Sequence, residues 1–447
     1  MNNTTPHWQP DSWRQHTGRQ MPHYADQTLL QQTTATLGDM PALVLPEEIR
    51  RLTGQIAAVE RGEAFLLQAG DCAESFNEFG ERKLRATFQQ ILQMAVVLTH
   101  GMKKPVVKLG RFAGQYAKPR SSDSETQHGI TLPSYRGDII NGIEFTGSAR
   151  EPDPMRMLQA YQYSATGLNL WRALANSGEA DLNKVKDWNP NFLNHSRAAD
   201  AYLQMSQKIE QSLEFMSVVG IDSSNTPSLH QVDLFCSHEA LLLEYEQALV
   251  RQDHDGQFYG GSGHMLWIGE RTRQIDSAHV EFLRGIINPV GIKVGPTATV
   301  DEILPLLDSL NPDNRSGRIT LITRMGANKI ADHLPKIIRD IQTEGRNVSW
   351  ISDPMHGNTQ STSNGYKTRD FNNILSEIKQ FFAIHQAENS IAGGVHLELT
   401  GEHVTECIGG IKGMSEADLQ QCYKTQCDPR LNGEQGLELA FLVAEHL

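Results

Sequence analysis

Short apolar runs that each feed a polar loop and then a helical pattern recur along the chain, and this rhythm limits the fold more than any other feature. Strand-like runs fall at 64–70, 105–109, about 231–235, 265–268, 291–294, 319–323, 348–351 and 395–399. Helical spacing follows at 81–102, at 299–310 with Thr299 and Glu302 placed as a capping box, and at 328–343, 371–387 and 436–447. Runs that are apolar throughout suit strands buried on both faces, which means a parallel sheet covered by helices. Eight such units close into an α/β fold, the (β/α)8 TIM barrel, whose chemistry sits on the loops at the C-terminal ends of the strands.

Two stretches break the rhythm. Residues 1–52 scatter Trp8, Trp13, Pro22, Pro41 and Pro46 among polar residues, a pattern too irregular for a core element, and read as an N-terminal extension to a barrel of 53–447, with a helix at 43–59 across the junction. The interval after the second strand unit is far longer than one crossover helix needs. It carries helix-like stretches at 154–175 and 197–219, so a helical insertion is expected at about 179–219, suited to oligomer contacts or regulation. The net charge of −13 and a pI near 5.7 leave no basic field for nucleic acid or a membrane surface. No apolar run is long enough to span a bilayer and residues 1–10 are polar, which points to the cytoplasm. Five cysteines, Cys72, Cys236, Cys407, Cys422 and Cys427, make an odd count spread over 447 residues, so metal or redox chemistry is expected of them before a disulfide framework.

The chemistry-bearing residues collect at the expected strand ends. The run at 348–351 is halted by Pro354 and loosened by Gly357, leaving His356 and Asn358 on a loop. Cys72 follows the first strand, Glu398 ends the eighth, and Asp428 lies beyond it. A thiolate, an imidazole and two carboxylates suit one divalent transition ion such as Mn²⁺, Co²⁺, Fe²⁺ or Zn²⁺. A core cysteine among solvated carboxylates is the competing reading, because no recognised metal-ligand spacing is present. Lys293 sits between apolar neighbours within a strand, where alternation turns it into the barrel while Ile292 and Val294 face helices. Arg324 repeats the arrangement on the next strand, and Arg111 and Arg271 follow the second and fourth. Carboxylates such as Glu270 can satisfy these cations, but their convergence in an acidic chain favours a small, multiply charged anion. Lys118, Pro119, Arg120 and Ser121 supply a second cationic cluster, implying two phosphate groups or a phosphate and a carboxylate.

The longer motifs amount to a resemblance. Gly-Asp-Cys-Ala-Glu-Ser-Phe at 70–76, Gly-Arg-Phe-Ala-Gly-Gln-Tyr-Ala-Lys-Pro-Arg-Ser at 110–121, Trp-Ile-Gly-Glu-Arg-Thr-Arg-Gln at 267–274 and Asp-Pro-Met-His-Gly-Asn-Thr at 353–359 closely resemble type II 3-deoxy-D-arabino-heptulosonate-7-phosphate (DAHP) synthases. The likeness runs from about Trp8 to the C-terminus. It implies a TIM barrel that condenses phosphoenolpyruvate with erythrose 4-phosphate at the first step of the shikimate pathway. It also implies metal ligands Cys72, His356, Glu398 and Asp428, with phosphoenolpyruvate held by Arg111, Lys293, Arg324 and the backbone at Glu270. Lys118, Pro119, Arg120 and Ser121 match the erythrose 4-phosphate loop, Arg271 bridges the two substrates, and Lys293, Arg271 and Glu270 are the catalytic set. The resemblance further implies a homo-oligomer, dimer or tetramer, aromatic amino acid effectors and a chorismate mutase partner. Deleting the N-terminal extension is then expected to change assembly or inhibition before it harms chemistry. Glu270, His396 and Asp353 stand as candidates for proton transfer, with His396 equally readable as a barrel-core histidine. Two rivals remain at this point: a class I aldolase using Lys293 as a Schiff-base lysine, and a non-catalytic sensor.

Overall fold

In the computed structural model, which describes residues 8–187, 197–219, 226, 229 and 231–446, eight parallel strands close into a barrel. They are β1 (Phe65–Gly70), β2 (Val106–Arg111), β3 (Phe235–Glu239), β4 (Met265–Ile268), β5 (Val290–Val294), β6 (Ile319–Thr323), β7 (Ser349–Ser352) and β8 (Gly394–Glu398). Each pairs with its sequence neighbours, and β1 closes the ring on β8 through Leu66 opposite Gly394 to Gly70 opposite Glu398. Alternation sorts the side chains. Ile292 and Val294 pack with Leu306, Leu334 and other helical residues outside, while Leu66, Met265, Trp267, Ile322 and Ile351 fill the interior.

Most expected elements fall within a residue or two of their positions, and the Thr299–Glu302 capping box is present at the helix Val300–Leu310. One strand is displaced. β3 begins where the expected run at 231–235 ends, because Cys236, Ser237, His238 and Glu239 are all buried yet mostly polar, which hides the strand from a hydrophobicity reading. Ser237 settles its hydroxyl on Gln68 and the Gly110 carbonyl, and His238 pairs with Glu246. Three short antiparallel hairpins carry no periodic signal. One of them, Ser124–Gln127 with Ile130–Pro133, turns through His128 and Gly129, both at positive φ as its tight turn demands.

The N-terminal residues, expected to be too irregular for a core element, do contribute to the core. Trp8 and Trp13 are buried in the helical layer beside Phe282 and Leu283, and a helix, Gln27–Asp39, buries Leu30 and Leu37. The next helix, Pro46–Glu60, crosses residue 52 and drives Leu52, Ile56 and Val59 into the N-terminal end of the barrel, where they complete its interior. The interval after β2 holds the helices Met155–Asn176 and Arg197–Val218. Residues 188–196 of the expected insertion lie outside the described residues.

Candidate active site

The expected metal-ligand and substrate-binding residues all line one cavity of about 250 Å³ at the C-terminal ends of the strands: Cys72, Arg111, Lys118, Pro119, Arg120, Ser121, Glu270, Arg271, Lys293, Arg324, His356, Glu398 and Asp428. Seven cationic side chains against four carboxylates make the mouth positive in a chain of net charge −13. Gly70 starts the first of these loops at φ +149, where a Cβ would lie 2.7 Å from the Arg111 carbonyl oxygen, so only glycine lets β1 turn Cys72 inward beside β2.

Arg111 is the most constrained of the cations. It donates to the carbonyls of Asp71 (2.9 Å) and Cys72 (3.1 Å), to Glu398 Oε1 (2.9 Å) and to His396 Nε2, and its guanidinium lies 5.1 Å from the Trp267 ring centroid. Arginine only donates, so Nε2 of His396 accepts and its Nδ1 carries the proton toward Gln68 Oε1, 2.7 Å away. Burial, with Lys293 and Arg111 nearby, holds His396 well below the usual imidazole range. It is therefore the barrel-core histidine of the two readings, and is spent on positioning Arg111.

Lys293 is buried with Nζ 2.5 Å from Asp353 Oδ2. That same oxygen lies 2.7 Å from His356 Nδ1, and Asp353 Oδ1 accepts from the backbone of Met355 and His356. Although burial works against its ionisation, His356 and Lys293 hold Asp353 well below the carboxylate range, so it too has no proton to trade. Arg324 pairs with Glu270 at 2.5 Å and donates to the His356 carbonyl at 3.3 Å. Each of these cations thus meets a protein carboxylate, as the Glu270 alternative held. Arg271 is exposed at the cavity rim, with no ion pair among the described residues.

Around the expected metal ligands, donor atoms of Cys72, Glu398 and Asp428 lie within 4.8 Å of one another, and His356 Nε2 is 3.1 Å from Glu398 Oε1. His356 gives its other nitrogen to Asp353, the arrangement by which a carboxylate orients a ligating imidazole. Lys118 does not stand apart with Arg120. Its Nζ sits among these donors, 2.5 Å from Cys72 Sγ, 4.0 Å from Glu398 Oε1 and ion-paired with Asp428. An ammonium drawn to that position marks it as one that demands positive charge. Burial, the largest influence, raises the Glu398 pKa, yet His356, Lys118, Arg369 and Arg111 together hold it well below the usual range. The residues present fit a divalent ion. Arg120 is held by Glu125 at 2.9 Å and by Gln20, whose side-chain oxygen accepts from the Arg120 N–H at 2.8 Å.

Glu239 and Lys367 line the cavity but escaped the sequence reading, and Gln115 was quoted there without a role. Gln115 fixes the backbone of Glu239 at 2.9 Å and donates to the Cys72 carbonyl at 3.4 Å. Glu239 is buried, with Oε1 lacking a hydrogen-bond partner among the described residues. Burial pushes its carboxyl up against the opposing pull of Lys293, His356, Lys118 and Arg111. The Ser-His-Glu order at 237–239 carries no spacing that would mark it from sequence.

A closed parallel barrel with a cationic mouth around a thiol, an imidazole and carboxylates defines a barrel enzyme that handles anionic substrates. The class-II DAHP synthetase family model matches residues 8–444, and the chain belongs to that family. It is 49% identical over 97% of its length to the phospho-2-dehydro-3-deoxyheptonate aldolase of Streptomyces coelicolor, covering 96% of that protein. A Neurospora crassa protein of the same name is 48% identical over 99% of this chain and 94% of its own. Phospho-2-dehydro-3-deoxyheptonate aldolase AroG of Mycolicibacterium smegmatis is 49% identical over 92% of this chain and 89% of its own. No helix among the described residues is long and apolar enough to cross a membrane.

Proposed function

We propose that the chain condenses phosphoenolpyruvate with erythrose 4-phosphate and water to give DAHP and inorganic phosphate, with one divalent ion, Mn²⁺ foremost, held by Cys72, His356, Glu398 and Asp428. The observation that carries this is the convergence of four cations and four metal-type donors on one cavity in a chain of this family.

Arg111, Lys293 and Arg324, with the backbone at Glu270, bind the phosphate and carboxylate of the enol phosphate. Fixed from three sides, its C3 faces the aldehyde carbon of the second substrate. Lys118, Pro119, Arg120 and Ser121 take the aldose phosphate, and Arg271, which has no ion pair among the described residues, reaches both. The divalent ion, when bound, supplies a Lewis acid for the aldehyde oxygen. As C3 bonds to that carbon, positive charge develops at C2, water adds there, and the phosphohemiketal expels phosphate. Asp353 and His396 are committed to ionic and hydrogen-bond partners. Proton handling therefore falls to Glu239, oriented to hold the water that adds at C2, and to Glu270 once substrate draws Arg324 out of its ion pair.

Phosphate release from the two substrates, measured in metal-stripped and Mn²⁺-restored protein, tests the reading. Activity lost on stripping and regained with Mn²⁺ is expected, and full turnover in strong chelator overturns the metal assignment. Borohydride with substrate should leave Lys293 unmodified. A trapped adduct there would favour the class I aldolase. Because Cys72 must remain a thiol to ligate, a reducing cytoplasm suits the site. Assembly as a homodimer or homotetramer is supported by Leu203 and Phe215, exposed on the helix Arg197–Val218. Aromatic amino acid effectors and a chorismate mutase partner belong to the same proposal and rest on the family likeness alone.

A further inference from the structure

Arg369 is fully buried and belongs to none of the groups assigned above. It ends the short strand Lys367–Arg369, whose backbone is fixed by Ile408 N–H donating to the Arg369 carbonyl at 2.9 Å and by Thr368 Oγ1 donating to the Glu406 carbonyl at 2.9 Å. Its guanidinium reaches three of the segments that carry the donor cluster. Nη1 lies 2.8 Å from Glu398 Oε2 at the end of β8. Nη1 also donates to the carbonyl of Pro429, the residue after Asp428. Nε donates to Thr359 Oγ1 at 3.0 Å, on the loop that presents His356.

This divides the work of the Glu398 carboxylate. Oε2 is turned toward Arg369, while Oε1 faces His356 Nε2 at 3.1 Å and Arg111 Nη2 at 2.9 Å. The geometry points to Arg369 as a positioning residue for the cation centre, which holds Glu398 with one oxygen toward the donor cluster and keeps the 428–429 backbone within reach of Cys72. The inference rests on the reading of Cys72, His356, Glu398 and Asp428 as ligands of a divalent ion. Only a planar fork serves three directions at once; lysine offers the charge from a single point.

Part of the guanidinium is not spent on the surrounding fold: among the described residues Arg369 Nη2 has no acceptor, and the Nη1 approach to Glu398 Oε2 is a charge contact without hydrogen-bond alignment. Removing one partner of a buried ion pair costs stability, so the test reads the metal site and not the fold alone. Glu398 keeps Arg111 as a counter-charge in that case.

The test uses full-length, metal-stripped protein titrated with Co²⁺, reading the d–d and thiolate-to-cobalt absorption. The wild-type protein is expected to bind one equivalent. Arg369→Met should bind Co²⁺ about 10- to 100-fold more weakly, the scale on which partners of metal ligands act. Its d–d band should be altered, a change that a uniform loss of stability does not produce. Arg369→Lys should fall between the two. A wild-type Kd and a wild-type spectrum in Arg369→Met overturn the inference while leaving the ligand assignment intact. Wild-type protein that binds no Co²⁺ overturns the ligand reading and the inference with it. If Arg369→Met does not fold, Arg369→Lys decides, and a wild-type Kd and spectrum in it overturn the proposal.

Discussion

Lys293 Nζ lies 2.5 Å from Asp353 Oδ2, joining β5 to the loop after β7 over the intervening β6. Because the same oxygen also meets His356 Nδ1, one carboxylate ties the proposed substrate-anion site to the proposed metal site. Asp353→Asn keeps the shape and removes the charge. It should weaken Mn²⁺ binding about 10- to 100-fold and raise the phosphoenolpyruvate KM together. Metal titration and initial rates check this, and a change in one constant alone breaks the link.

Lys293 gives the reaction a pH limit. Burial pulls it down from the usual lysine range to about 8, Asp353 opposing the fall and Arg111 adding to it. The sign follows directly: below about pH 8 the ammonium is present, and as pH rises through that value the anion site loses a charge. With the aldose phosphate saturating, kcat/KM for phosphoenolpyruvate should decline by up to about tenfold per pH unit above the inflection, because this ratio reports the free enzyme. Lys293→Arg stays charged throughout and should lose the inflection, whatever its rate. A flat wild-type profile from pH 7 to 10 would remove Lys293 from the anion site.

Glu239 tests the proton-handling proposal. Glu239→Gln retains the volume and the backbone contact with Gln115. A drop of about 100-fold or more in kcat, with KM for phosphoenolpyruvate and the melting temperature nearly unchanged, is expected of a lost acid–base group. A kcat within a few-fold of wild type would leave Glu270 as the sole candidate.

The barrel was legible because β1, β4, β5, β6 and β7 are apolar runs between helices of clear period, and the site because strand ends in such a barrel face one way. β3 was misplaced for the reason that makes it useful: Ser237, His238 and Glu239 put polar groups in the interior, and only the tertiary hydrogen bonds explain their burial. Arg369 was equally invisible, since nothing in Lys-Thr-Arg shows that a hairpin folds it behind Glu398. The placement of Lys118 among acidic donors depends on a loop closing over β8, a long-range contact that spacing does not encode.

The N-terminal residues carry the largest revision. Trp8 seats its ring where a Cβ on Gly285 would come within 1.9 Å, donates from Nε1 to the Glu281 carbonyl at 2.9 Å and packs 5.2 Å from Phe258. Such a side chain is a wedge in the helical layer. Trp8→Ala should cost about 3–5 kcal/mol of stability. Removing residues 1–24 should therefore lower the melting temperature, instead of acting on assembly or inhibition alone. Thermal unfolding measures it, and a truncated chain with wild-type stability would restore the reading of this stretch as a dispensable extension.

Cys72 of the donor cluster and Cys427, beside Asp428, are expected to act as a redox pair. Cys72 and Cys427 are free, and each sulfur affects the other's ionisation. Burial, with Cys427 and Glu398, pushes the Cys72 thiol up, while Cys72 and Lys118 lower Cys427. Cys427 is the sulfur expected to attack. With diamide as oxidant, two thiols lose two protons and two electrons to the diazene and form one disulfide, which withdraws Cys72 from the ligand set. Inactivation of metal-stripped protein is expected to be rapid, reversed by dithiothreitol and slowed by Mn²⁺, which holds Cys72 as a ligand. Cys427→Ser should resist it. Peptide mapping after oxidation should recover a Cys72 to Cys427 cross-link, and its absence, or equal inactivation of Cys427→Ser, would show that Cys427 is no more than a small buried side chain beside the site.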